Sequence, residues 1–319
     1  LNQALGQVGF TPFLFRTGYI MSYFMEVAML DFRKPLTRII PLALLVSFTA
    51  PGQKKSEEPR RWVLGASEIK TVSSTITHKD YELIINLPSG YAKETSRRYP
   101  VFYFCDGYYD FPLITMIYYD QLFDKTAPEC ILVGFSYRGE NLDYGPLRGH
   151  DLTPTAVAEA PTTGGGPDYL RVIESEFIPY VESHYRVDTA FRALGGSSLG
   201  GLFTLYAMFT RPTLFKAYIA VSPAAMWDRG WPVIAEEMYH QQHKDLPVSL
   251  YMTGAEKEFS ESPAFIEGIK FLGNLLKKRD YQGFRYQFRI LDDSYHASSK
   301  PEGYTRGMQF IFAPLVGQK

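Results

Sequence analysis

The sequence predicts an α/β fold, a mainly parallel sheet covered on both faces by helices, and three observations predict it. Short apolar runs bounded by Pro, Gly and Asp alternate with stretches whose apolar residues recur at helical spacing, from Tyr81 to Leu291. Strand and helix taking turns builds crossover units, which bury a parallel sheet from both sides. The chain has 319 residues, 45 % of them hydrophobic, which is enough to fill one large core.

Residues 1–50 read as a separate N-terminal piece. Arg33, Lys34 and Arg38 precede an apolar stretch from Ile39 to Ala50 that gives way to small residues. That is the layout of a secretory signal peptide, and it is too short to span a bilayer comfortably. The expectation is export to the periplasm or the medium without stable membrane insertion after cleavage, Met29 being the natural start and residues 1–28 an upstream extension. An uncleaved anchor is the alternative. Residues 51–61 are polar, contain Pro59 and read as a linker; residues 62–319 then form one domain.

Within that domain an edge strand is expected around Ser67–Lys70, followed by strands at Tyr81–Leu87, Val101–Cys105 and Ile131–Phe135. Leu170, Ile173, Phe177 and Val181 mark a helix that ends near His184. A short strand at Phe191–Leu194 leads into a helix-compatible run, Leu202–Phe209, and another strand follows at Ala217–Val221. Two further strands are expected at Leu246–Thr253 and Tyr286–Leu291. Between them Phe265, Ile269, Leu272 and Leu276 lie on a helix that closes with Lys277, Lys278 and Arg279, the charge sign a helix C-terminus favours.

Charge and cysteine usage narrow the function classes. A net charge of −1, with no basic stripe, gives no footprint for nucleic acid. Cys105 and Cys130 are too few for a disulfide framework and read as buried free thiols. His240 and His243 form an H-x-x-H without the Glu of a zinc protease or a third ligand, so no metal site is expected.

The chemistry gathers after the strands. Gly196-Ser197-Ser198-Leu199-Gly200 satisfies G-x-S-x-G between a strand and a helix, the nucleophile elbow of the α/β-hydrolase fold, with Ser198 as nucleophile. Glycines are needed there because larger side chains would collide with the neighbouring backbone. The N–H of Leu199 is one expected oxyanion donor, and the N–H of Tyr108, in Cys105-Asp106-Gly107-Tyr108, is the second, Gly107 permitting the tight path. His296, in the loop after the last strand, is the expected general base. Glu256 and Glu258 both qualify as the acid that orients it, and Glu256 is favoured as the nearer to the strand end. Arg148 and Trp227 are expected to bind substrate, together with Asp151 and Met226. Arg148 has the planar fork that suits a carboxylate or catecholate, whereas an Arg148–Asp151 pair would simply hold the loop.

The stretches YPVFYFCDGYYDF, RGHDLTPT, IESEFIPYVESHYRVD and ALGGSSLGGLFTLYAMFTRPTLFKAYIAVSPAAMW, with the late His296, resemble the enterochelin-esterase-like branch of the esterase D family. The likeness covers roughly residues 66–314. It implies a serine carboxylesterase on the α/β-hydrolase fold, without metal or organic cofactor, acting on a small-molecule or polysaccharide-linked ester. Siderophore, phenolic and acetyl esters are the implied substrate types. The resemblance also implies that the acid is variable in position, and that some trilactone hydrolases work with Ser and His alone. Acyl transfer on the same fold and an inactive binding protein are the rival readings.

Overall fold

Eight strands form one sheet in the order β1-β2-β4-β3-β5-β6-β7-β8. They are β1 (Ser67–Ser73), β2 (Asp80–Asn86), β3 (Tyr99–Phe104), β4 (Ile131–Tyr137), β5 (Val187–Ser197), β6 (Ala217–Val221), β7 (Ser249–Lys257) and β8 (Arg285–Tyr295). β1 and β2 run antiparallel to their neighbours, and every pairing from β4 to β8 is parallel. The structure, a computed structural model, describes residues 64–316 except 66 and 260. The signal-like segment, the extension before it and the linker lie outside the described residues.

Helices cover both faces. α1 (Gly107–Phe123) and α8 (Ser299–Val316) pack on one side, where Phe102, Phe104, Ile114, Tyr304 and Met308 share a core. The other side carries α3 (Gly166–Val172), α4 (Ile178–His184), α5 (Leu199–Thr210) and α7 (Pro263–Lys278), packed over Val101, Tyr103 and Leu194. Alternation along β3 explains the split, since odd and even residues of a strand face opposite sides. Burying each such large apolar side chain contributes about 1.5–3 kcal/mol. α2 (Tyr144–Asp151) and α6 (Trp227–Gln242) complete the described elements. Among the described residues, no helix is long and apolar enough to cross a membrane.

α3 and α4 are one run joined by a π turn, Ile173–Phe177, placed just before Pro179, whose ring nitrogen cannot donate to the helix ladder. α8 escapes a reading by periodicity because Gly303 and Gly307 break its pattern. Both glycines sit where α8 presses on β6: a Cβ would stand 2.9 Å from Val221 and 2.7 Å from Ile219. Another departure from expectation bears on the site. The strand expected at Leu246–Thr253 runs from Ser249 to Lys257, four residues further.

Candidate active site

β3 has β4 on one side and β5 on the other, so the direction of winding reverses between β3 and β5. Loops leaving such a point diverge and open a crevice at the carboxyl ends of the strands. The turns after β3 and β5 stand side by side there, joined by the Cys105 N–H, which donates to the Gly195 carbonyl at 2.9 Å.

Ser198 occupies the bend between β5 and α5 with φ 58° and ψ −117°, a conformation that costs a non-glycine residue energy and persists only when the surroundings impose it. The surroundings do impose it. The Ser198 N–H donates to Val221 O at 3.0 Å, and its carbonyl accepts from Leu202 N–H at 2.9 Å and Ala224 N–H at 3.0 Å. A Cβ on Gly196 would lie 2.2 Å from Gly200 O, and one on Gly200 would lie 3.0 Å from Cys105 Cβ. The adjacent serines are therefore not equivalent. Ser197 is buried with its hydroxyl unpaired, whereas Ser198 is half-buried and its hydroxyl does not cap α5.

Two helix N-termini converge on this bend. Leu199 is the first residue of α5 and Tyr108 the second of α1, and N–H groups at such positions have no partner in their own helix. Tyr109 and Asp110 instead return their N–H groups to Asp106 O, each at 2.9 Å. The residue that makes the turn is not Gly107, as the sequence reading had it, but Asp106, with φ 56° and ψ 36°. Gly107 is required for a different reason: a Cβ there would lie 2.7 Å from the carbonyl carbon of Gly134 on β4.

Asp106 is gripped by Arg148. Nε and one terminal nitrogen of the guanidinium each donate to a separate carboxylate oxygen at 2.8 Å. Burial works against the Arg148 charge, but the hydrogen bonds and charge of Asp106 outweigh it and raise its pKa. This corrects the expected pairing of Arg148. Nε and one terminal nitrogen of Arg148 hold the turn behind Tyr108, and its carboxylate partner is Asp106, not Asp151. Asp151 instead takes Lys79 at 3.2 Å, the Tyr81 hydroxyl at 3.0 Å and His150 Nδ1 at 2.6 Å. Trp227 also uses its polar atom internally, donating from Nε1 to Thr155 Oγ1 at 3.1 Å. Burial pushes the Cys105 thiol well above its ordinary range and keeps it protonated.

His296 follows β8. Its Nδ1 lies 2.6 Å from Glu258 Oε2, and its ring packs between Phe259, at 4.4 Å between centroids, and Phe265, at 5.1 Å and edge-on. The Glu258 carboxylate is 1 % exposed and its other oxygen accepts from Ala255 N–H at 2.8 Å. A carboxylate facing Nδ1 keeps the proton on that nitrogen and leaves Nε2 as the basic one. Glu256, the favoured acid, is elsewhere: its Oε2 accepts the N–H of Asp293 at 2.7 Å. The physical reason is the length of β7. Glu256 still lies inside the strand, opposite the irregular stretch where Ala255 pairs with Leu291 but Lys257 with Tyr295, and it holds that bulge. Glu258 is the first residue past the strand end.

The structure thus joins His296 to Glu258 and sets Ser198 beside the turns of Leu199 and Tyr108. It does not join Ser198 Oγ to His296 by a hydrogen bond, a contact that in unliganded sites often tightens only with substrate. A cavity of 390 Å³ opens at His296, lined also by Lys257, Phe259 and Tyr295. In the turn after β3, Tyr108 stacks on Tyr144 with centroids 3.7 Å apart and planes 16° apart, and it stays 52 % exposed. His240 and His243 sit apart from all this, their rings packed on Tyr281 and Tyr239.

A family model described as "Putative esterase" matches residues 74–296, from just before β2 to the histidine itself. The chain belongs to that esterase family. Ferri-bacillibactin esterase BesA of Bacillus subtilis is 27 % identical to this esterase over 273 residues, 79 % of this chain and 92 % of the relative. The crystal structure of the BES protein from Bacillus cereus superposes with a TM-score of 0.71 at 24 % identity, covering 80 % of this esterase and 99 % of that chain. An IroE-like serine hydrolase from Shewanella oneidensis gives a TM-score of 0.70 at 24 % identity, covering 77 % and 80 % respectively. The fold is that of the α/β-hydrolases, and the esterase is a carboxylic ester hydrolase.

Proposed function

We propose that this esterase cleaves ester bonds of siderophores through Ser198, His296 and Glu258. The carrying observation is the buried Glu258 carboxylate bonded to His296 at the same end of the sheet as the strained Ser198 bend. Nε2 of His296 takes the Ser198 proton as Oγ attacks the ester carbonyl. The N–H groups of Leu199 and Tyr108 hold the oxyanion. The alcohol leaves with that proton, and water activated by the same nitrogen releases the acid and restores Ser198. Each oxyanion donor is worth on the order of 3 kcal/mol of barrier.

Two kinds of support favour siderophores among esters. BesA is named for a ferri-bacillibactin substrate, and a second relative, 37 % identical over 99 residues, is the siderophore triacetylfusarinine C esterase of Aspergillus fumigatus. In this chain the exposed Tyr108 and Tyr109 flank the crevice and offer flat apolar faces to a bulky ligand. The basic and apolar pattern before residue 51 supports export, where such a ligand would be met on the outer side of the membrane. Initial rates on a ferric trilactone siderophore, its iron-free form, methyl ferulate and a short nitrophenyl ester test the reading. The expected result is a kcat/KM on at least one siderophore about 100-fold above that on methyl ferulate, a difference of about 2.7 kcal/mol in transition-state binding. Equal or reversed values would remove siderophores as the substrate class.

Arg148 gives a separate prediction. Arg148→Lys keeps the charge but cannot supply two parallel donors to Asp106, so the Tyr108 N–H loses its fixed direction. The expected change is a fall in kcat of roughly 10- to 100-fold, with KM changed far less. A rise in KM alone would return Arg148 to a substrate-binding role.

A further inference from the structure

The turn that carries His296 is anchored by polar groups that the proposed chemistry does not use. The His296 carbonyl accepts a hydrogen bond from Ser299 Oγ at 2.7 Å, and Ser299 Oγ lies 3.0 Å from Ser222 Oγ. Both serines are fully buried. A hydroxyl has one proton to give. Ser299 gives its proton to the carbonyl, so Ser222 must be the donor between the two hydroxyls, and the chain has a fixed direction from Ser222 to Ser299 to His296.

Ser222 is itself tightly set. It follows β6 with φ 42°, a left-handed value, and its N–H donates to Thr253 O at 2.9 Å. Val221, immediately before it, and Ala224, two residues after it, both hydrogen-bond through their backbones to Ser198. An unbroken path of hydrogen bonds and short backbone therefore runs from the Ser198 bend to the backbone of His296. The next residue of α8 extends the anchor sideways: Lys300 Nζ donates to Asp110 Oδ1 at 2.7 Å, in the first turn of α1, two residues past Tyr108.

We propose that Ser299, with Ser222 as its donor, is a positioning residue that holds the imidazole of His296 in register with Ser198. The proposal rests on the Ser198–His296 reading above. The chemistry of the pair supports a directional role. Removing the two hydroxyls takes away the bond between them and the donor to the His296 carbonyl, a loss that a domain of this size can absorb and stay folded. What also goes is the fixed height of the His296 carbonyl, and a displacement of about 1 Å at a reacting group costs up to roughly 100-fold in rate.

The test measures kcat, KM and the rate of Ser198 labelling by a fluorophosphonate for Ser222→Ala, Ser299→Ala and the double variant, each normalised to the folded fraction from thermal melts. The expected result is a fall in kcat and labelling rate of roughly 10- to 100-fold in each single variant, with KM within about two-fold of the parent. The double variant should be no slower than the slower single, because the two hydroxyls act as one device. Parental kcat in folded Ser299→Ala, a change confined to KM, or single effects that multiply in the double variant would each overturn the proposal. Should Ser299→Ala not fold, Ser222→Ala carries the test, since it strips Ser299 of the donor that fixes its hydroxyl: parental kcat and labelling in that variant would overturn the proposal. Ser198→Ala assayed alongside separates the two failures. Activity in that variant would remove the catalytic reading, whereas its inactivity beside a fully active Ser299→Ala would remove only the positioning role.

Discussion

Ser198→Ala will lose ester hydrolysis by a factor on the order of 10⁴ to 10⁶, the range expected when the nucleophile of such a group is deleted and only binding and oxyanion contacts remain. Its stability will stay within about 1 kcal/mol of the parent, because the hydroxyl does not cap α5 and the strained backbone is held by Val221, Leu202 and Ala224, not by the side chain. Thermal melts paired with rates on a nitrophenyl ester check both halves. The fluorophosphonate gives a second reading, since the parent is labelled at Ser198 and the variant is not. A variant that retains parental rates would leave the bend at Ser198 as a structural feature without chemistry.

The second large effect separates two neighbouring carboxylates. Glu258→Gln preserves shape and can still accept the Ala255 N–H, but its amide presents N–H groups to His296 Nδ1. The imidazole then carries its proton on Nε2 and has no lone pair to offer Ser198. The expected loss in kcat is on the order of 10⁴-fold, the cost of the wrong tautomer in a Ser-His-acid group. Glu256→Gln keeps an acceptor for the Asp293 N–H and should change kcat by no more than about two-fold, as expected for a partly exposed hydrogen bond away from the reacting atoms. Rates of the two variants measured side by side decide the matter. The opposite order of effects would reinstate Glu256, and two near-parental variants would reduce the machinery to Ser198 and His296.

The bend at Ser198 was legible because its cause is local. Gly196 and Gly200 are four residues apart and their backbones nearly touch, so the requirement for both is written within five residues. The strands were legible for a similar reason, as runs such as Val101–Cys105 and Ala217–Val221 are buried on both faces and must be apolar throughout. α8 was not, since its glycines answer to Val221 and Ile219 on a strand about eighty residues earlier. The carboxylate that faces His296 was hidden by a similar route. Nothing within Gly254–Glu258 says that the strand continues to Lys257; the parallel pairing with β8 and the bulge around Asp293 decide it. The Asp106–Arg148 fork joins residues 42 apart, and neither flank of either residue announces the other.

The sequence by itself determined the layered α/β fold, the bend at Ser198, the two turns that carry Leu199 and Tyr108, and the histidine that follows the last strand. Each of these depends on backbone shape or apolar pattern over a few residues. Which carboxylate faces His296, what Arg148 holds, and how Ser222, Ser299 and Lys300 tie the histidine turn to the rest were decided only in three dimensions. Hydrogen bonds and ion pairs between distant residues form wherever the sheet register and helix packing bring donors and acceptors together, and register is a property of paired strands, not of either one alone.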